Sequence, residues 1–122
     1  MIYIDTENWF KASIEYENET ISRLGSVVTN YGFSDWATTD IKTVQEIDIH
    51  YRLSRRDHDF LIEQSPNGHA YHQMRIFHLM KADTDIMLGM YACSPQKSSF
   101  KAIFSNIRFG KCLWEPLHSP EE

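Results

Sequence analysis

Trp9-Phe10-Lys11-Ala12-Ser13-Ile14-Glu15-Tyr16-Glu17 decides the fold class of this 122-residue chain. Phe10, Ala12, Ile14 and Tyr16 alternate with Trp9, Lys11, Ser13 and Glu15. A period of two gives a strand one buried face and one polar face, here a polar face that carries a large aromatic ring. Asp5-Thr6-Glu7-Asn8 just before it has turn composition, which makes Met1 to Ile4 the first arm of a hairpin.

The same alternation recurs outward from that stretch. Strands are expected over Ile21 to Thr29, Glu46 to Leu53, Phe60 to Gln64, Tyr71 to Leu79, Ile86 to Cys93 and Ser99 to Phe109. Arg56-Asp57-His58-Asp59 and Ser65-Pro66-Asn67-Gly68 separate some of them as turns. Asn30 to Trp36, with Tyr31 and Phe33, follows neither period and is expected to be a structured loop. Trp36 would then cap the core, the alternative being that the loop rims a groove. Helical periodicity and internal repeats are absent, so an all-β sandwich or barrel is the expected class. Residues 1–110 would form that domain and 111–122 a loose polar tail.

Composition narrows the function classes. Seventeen acidic against twelve basic residues give a formal net charge of −5, and no basic patch stands out, so nucleic acid is an unfavourable partner. No apolar run reaches the ~18–20 residues of a membrane helix, and the first residues lack a signal-peptide pattern. With only Cys93 and Cys112 as thiols, a reduced cytoplasmic setting is the expectation.

Glu7 to Tyr16, Ser26-Val27-Val28-Thr29-Asn30 and Ser34-Asp35-Trp36 together resemble a known family. It is the uncharacterised domain family that includes the fungal regulation-of-enolase protein, within the concanavalin A-like lectin/glucanase superfamily. Tyr51-Arg52-Leu53, Ser65 to Gly68, Leu88 to Pro95 and Phe100 to Phe109 fit in order, so the likeness runs over roughly residues 1 to 109. The resemblance implies a concanavalin A-like jelly-roll β-sandwich with a ligand site on a concave sheet face. Family members usually carry further N-terminal strands ahead of the one matching Met1 to Ile4. This sequence lacks them, and the expected explanations are a fragment, a natural truncation, or a chain that completes its sheets by pairing with a second copy as a homodimer. The family supplies no established reaction, catalytic residue or cofactor.

The polar faces of the expected strands supply one candidate site. Trp9, Lys11, Ser13 and Glu15 share a face; His50 and Arg52 share another; Glu63 and Tyr91 lie on two more. If those faces line one sheet, an aromatic platform stands among charged hydrogen-bonding groups, a mixture suited to a carbohydrate or sugar-like metabolite. The bland reading is a solvated surface of cross-strand pairs. Docking on a metabolic enzyme is the second functional reading. Glycoside chemistry by Glu15 and Glu63 is the third, and it lacks the paired-acid motif of glucanases in that superfamily. His50, His58, His69, His72, His78 and His118 show no metal-ligand spacing, and Asp83-Thr84-Asp85 lacks the rest of a calcium loop. Neither metal nor cofactor is expected. Cys93 is expected to be an inert thiol.

Overall fold

The computed structural model describes residues 1–44, 48–83 and 85–115. Among these, every regular element is a strand: β1 (Ile2–Asp5), β2 (Asn8–Tyr16), β3 (Ile21–Asn30), β4 (Phe33–Lys42), β5 (His50–Arg56), β6 (Asp59–Ser65), β7 (His72–His78) and β8 (Met87–Leu88). They form two antiparallel sheets, ordered β4-β3-β2-β1-β8 and β5-β6-β7. The architecture is an all-β sandwich of the jelly-roll kind.

Alternation decides which residues face the space between the sheets. In β2 the inward set begins with Asn8 and Phe10, and the β2–β3 register sets Phe10 opposite Val28, Ala12 opposite Ser26 and Ile14 opposite Leu24. Ile2, Phe10 and Val28 from one sheet meet Phe60, Ile62 and Phe77 from the other, joined by Leu79 and Ala82. The Phe10 and Phe77 rings stack at 4.0 Å between centroids, and Phe60 stacks on Phe77 at 5.2 Å. Three aromatic rings thus fix the sheets face to face.

Turn chemistry sets the registers. Asp5 Oδ1 accepts from the Glu7 backbone N–H and from Asn8 Nδ2, both at 2.9 Å, which closes the β1–β2 turn. Asn8 is 1% exposed, and its Oδ1 accepts from the Tyr31 N–H at 3.1 Å, so this buried amide ties two turns together. Tyr31 and Gly32 both have positive φ, 50° and 79°, between the paired residues Asn30 and Phe33. That is the geometry of a two-residue type I′ hairpin.

This hairpin corrects one sequence expectation. Asn30 to Trp36 is no loop: from Phe33 the chain enters β4, a ten-residue edge strand. Two aromatic residues obscured the period, because Phe33 and Trp36 occupy opposite faces of a strand exposed on both. Two later expectations also change. Ile86 to Cys93 contributes only the two-residue β8, and Ser99 to Phe109 joins no ladder. Of the strand expected over Glu46 to Leu53, the residues from His50 onward belong to β5, while Glu46 and Ile47 lie outside the described residues, as do Thr84, His118 and the tail from Pro116.

Candidate binding face

The outer face of the five-stranded sheet presents four rows of side chains. Across the strands they read Tyr3–Trp9–Thr29–Ser34, then Lys11–Val27–Trp36, then Ser13–Gly25–Thr38, then Glu15–Arg23–Asp40. Trp36 is 74% exposed, far from the core-capping position expected of it. With two strand spacings and two residues between them, the backbones of Trp9 and Trp36 lie roughly 12 Å apart. Lys11 Nζ lies 5.9 Å from the Trp9 ring centroid, and Gly25 leaves a dip in the floor between Ser13 and Thr38.

Polar groups border the aromatic part. Ser13 Oγ donates to Glu15 Oε1 at 3.3 Å. Arg23 bridges Asp40 and Glu17 at 3.2 Å each, closing the far end of the face with an ion triad. Tyr91, from the chain beyond β8, brings its hydroxyl beside Ser13, near Glu15 and Cys93. Burial, abetted by Glu15 and Cys93, pushes the Tyr91 pKa up; Ser13 counteracts this without meeting full hydrogen-bond geometry. Cys93 and Cys112 are both exposed free thiols.

His50, Arg52 and Glu63 do not join this face. Leu53 and Ile62 point into the sandwich, so their neighbours Arg52 and Glu63, paired across β5 and β6, point out from the other sheet. Arg52 Nε donates to Glu63 Oε2 at 2.7 Å and its second nitrogen to Oε1 at 3.1 Å, and the guanidinium lies 4.1 Å over Tyr71. That bidentate bond raises the Arg52 pKa, and it leaves the two groups engaged with each other. The His50 ring lies against the Gly68 turn, where an added Cβ would meet it at 3.1 Å. The set expected on one sheet is therefore split: Trp9, Lys11, Glu15 and Tyr91 on one side of the molecule, His50, Arg52 and Glu63 on the other. Glu15 and Glu63, on opposite outer faces, do not converge on a common bond.

Trp36, Tyr3 and Gly25 complete the face and were not singled out for it from sequence. The signal for Trp36 was present: Tyr31-Gly32 is a hairpin turn, and the threonine-rich stretch after it has strand propensity. The histidines are accounted for differently. His58 Nε2 lies 2.6 Å from Asp83 Oδ1, His78 Nδ1 lies 2.8 Å from Asp59 Oδ1, and the two imidazoles stack at 5.5 Å. Among the described residues no three His, Cys, Asp or Glu side chains converge as metal ligands. No helix among them is long and apolar enough to cross a membrane.

A second feature lies between the sheets. On the β4 side the sandwich gapes into a cleft of about 490 Å³ lined mainly by Leu24, Ile41, Val44, Ile49 and Pro66. An adjoining hollow of about 220 Å³ reaches Ser26, Ala37, Thr39, His72 and Met74.

Comparison with known proteins places this arrangement. The chain is similar to the Saccharomyces cerevisiae protein named "Regulation of enolase protein 1", 29% identical over 118 residues. That alignment takes in 97% of this chain but only 58% of the relative's length. No solved structure matches. The family described as "Protein of unknown function (DUF1349)" matches residues 1–112, nearly the whole of the described sandwich, and this chain belongs to that family.

Proposed function

We propose that this domain is a noncatalytic binding module that holds a carbohydrate on the outer face of its five-stranded sheet. The observation that carries the reading is the half-buried Trp9 and the exposed Trp36 on one face, flanked by Lys11, Ser13, Thr38 and Glu15. A sugar ring offers an apolar C–H face to an indole and hydroxyls to charged and hydroxyl side chains, so the face supplies both kinds of contact. The roughly 12 Å between the Trp9 and Trp36 backbones exceeds one pyranose ring and favours an oligosaccharide. Tyr91 and Glu15 would border the ligand at one end. Arg52, Glu63 and His50 have no part in it.

A glycan array probed with the intact chain tests the reading, followed by calorimetry on the best hit. Trp9→Ala and Trp36→Ala should each weaken binding at least tenfold, about 1.4 kcal/mol, with the fold retained. Failure of every glycan to bind would remove the proposal.

The relative's name favours a second reading, a regulatory domain that docks on a metabolic enzyme. Exposed aromatic side chains such as Trp36 and Phe33 also suit a protein partner. Co-purification separates the two: a specific enzyme retained by the intact chain and lost in Trp36→Ala, without glycan binding, would favour docking.

A further inference from the structure

Buried polar residues normally have hydrogen-bond partners, and all the fully buried polar residues described here but one obey the rule. Asn8 bonds to Asp5 and Tyr31, Ser22 to Thr43 at 2.7 Å, Thr29 to Ser34 at 2.8 Å and Ser65 to Asn67 at 3.0 Å. Ser26 is the exception. It is 4% exposed, and its side chain has no hydrogen bond among the described residues. Its surroundings are not packed core either, because Ser26 lines the hollow of about 220 Å³ between the sheets.

The strand register makes that hollow. Phe10, stacked on Phe77, fills the sandwich at the level of Val28. One inward row further along, the β2–β3–β4 pairing sets Ala12, Ser26 and Ala37 side by side, small side chains where a core usually carries large ones. On the other wall, Gln64 takes the inward position that follows Phe60 and Ile62 on β6. Beside the hollow, Arg75 of β7 donates to the Asp35 carbonyl at 3.3 Å and pairs with its carboxylate at 3.4 Å, which ties the two walls together.

The lining selects a class of ligand. Ser26, Thr39, Gln64 and His72 present donors and acceptors, and none of these side chains has a hydrogen bond among the described residues. A purely aliphatic ligand would leave them unsatisfied. No lysine, arginine or carboxylate lines the hollow, which disfavours a charged group. No phenyl or indole ring lines it either, so a sugar finds no platform for its C–H face. Leu24, Ile41 and Met74 supply aliphatic and thioether contacts, which suit the face of a flat aromatic ring. The volume is that of roughly seven waters at ~30 Å³ each, the scale of a single ring.

We propose that this hollow binds a neutral nitrogen heteroaromatic ring, the class of the nucleobases and of nicotinamide. The ring lies against Leu24, Ile41 and Met74. The Gln64 amide, donor and acceptor at once, reads its edge, as amide side chains read adenine. The Ser26 hydroxyl gains the partner that the protein leaves it without. This site is separate from the outer face, so it can fail or hold without the carbohydrate reading.

Adenine, uracil and nicotinamide are the probes, each titrated into the intact chain and followed by nuclear magnetic resonance. At least one should shift the Gln64 amide and the Ala37 and Met74 methyl signals saturably, with the Trp9 and Trp36 indoles unmoved. Ala37→Leu, which fills the hollow from the exposed strand β4, should weaken that binding at least tenfold. Ser26→Ala should weaken it at least threefold without lowering the denaturant midpoint, because the hydroxyl it removes has no partner in the free protein. No saturable shift with any probe overturns the proposal, and so does undiminished binding in Ala37→Leu. An equal response to cyclohexanol means a merely apolar gap and overturns it too. Movement of the same signals when the ligand-free chain is diluted means that protein occupies the hollow, and overturns it as well.

Discussion

Asp5 and Asn8 show how much of the first hairpin rests on two side chains. The Asp5 carboxylate accepts from Asn8 Nδ2 and from the Glu7 N–H, with Lys81 at 3.9 Å, and these contacts lower its pKa below the usual 3.8. A carboxylate whose folded pKa is depressed binds fewer protons folded than unfolded. Its stabilising contribution is therefore complete above pH 3.8 and is lost as pH falls through the lower folded value. Asp5→Asn keeps an acceptor oxygen but cannot titrate. Denaturant midpoints measured from pH 5 down to pH 2 should fall less steeply in Asp5→Asn than in the parent chain. The turn composition was legible in Asp5-Thr6-Glu7-Asn8; the burial of Asn8 was not, because its partner, the Tyr31 amide, belongs to a different turn.

Among the elements, β2 was readable from its alternation alone, and β4 was not. β2 has Phe10, Ala12 and Ile14 on a single parity and a neighbour on each side at its start. β4 buries neither face, so selection for core residues leaves no period in it, and its turn and its threonines are what mark it. Gly32 supplies that turn with φ of 79°, where a Cβ would be strained whatever the space around it. Gly32→Val should destabilise the domain by roughly 1–2 kcal/mol, read as a lower denaturant midpoint. Replacement by Asn, which tolerates the left-handed region, should cost less than Val. The opposite failure occurred at Ser99 to Phe109, where a strand pattern is present but no ladder partner is supplied. Periodicity records what a segment is suited to pair with and says nothing of where that partner lies.

At the scale of the whole molecule, two sheets are held by few large side chains. Phe10 is almost wholly buried and stacks on Phe77, which in turn stacks on Phe60. Phe10→Ala should cost about 3–5 kcal/mol, a large share of a small domain's stability, and calorimetric melting would register it. The sandwich class follows from sequence because inward and outward residues alternate locally. Which outward faces share a side does not follow, since that depends on how the sheets stack; hence Trp9 and Arg52, alike in pattern, ended on opposite sides. The binding reading now rests on one side only. Its three indoles offer the most direct test, because Trp9 and Trp36 line the face while Trp114 lies near Arg56, whose guanidinium donates to its carbonyl at 3.0 Å. In a nuclear magnetic resonance titration with a bound glycan, the indole N–H signals of Trp9 and Trp36 should shift and that of Trp114 should stay. Shifts centred on Arg52, Glu63 and Tyr71, with Trp9 and Trp36 unmoved, would contradict the assignment of the binding face.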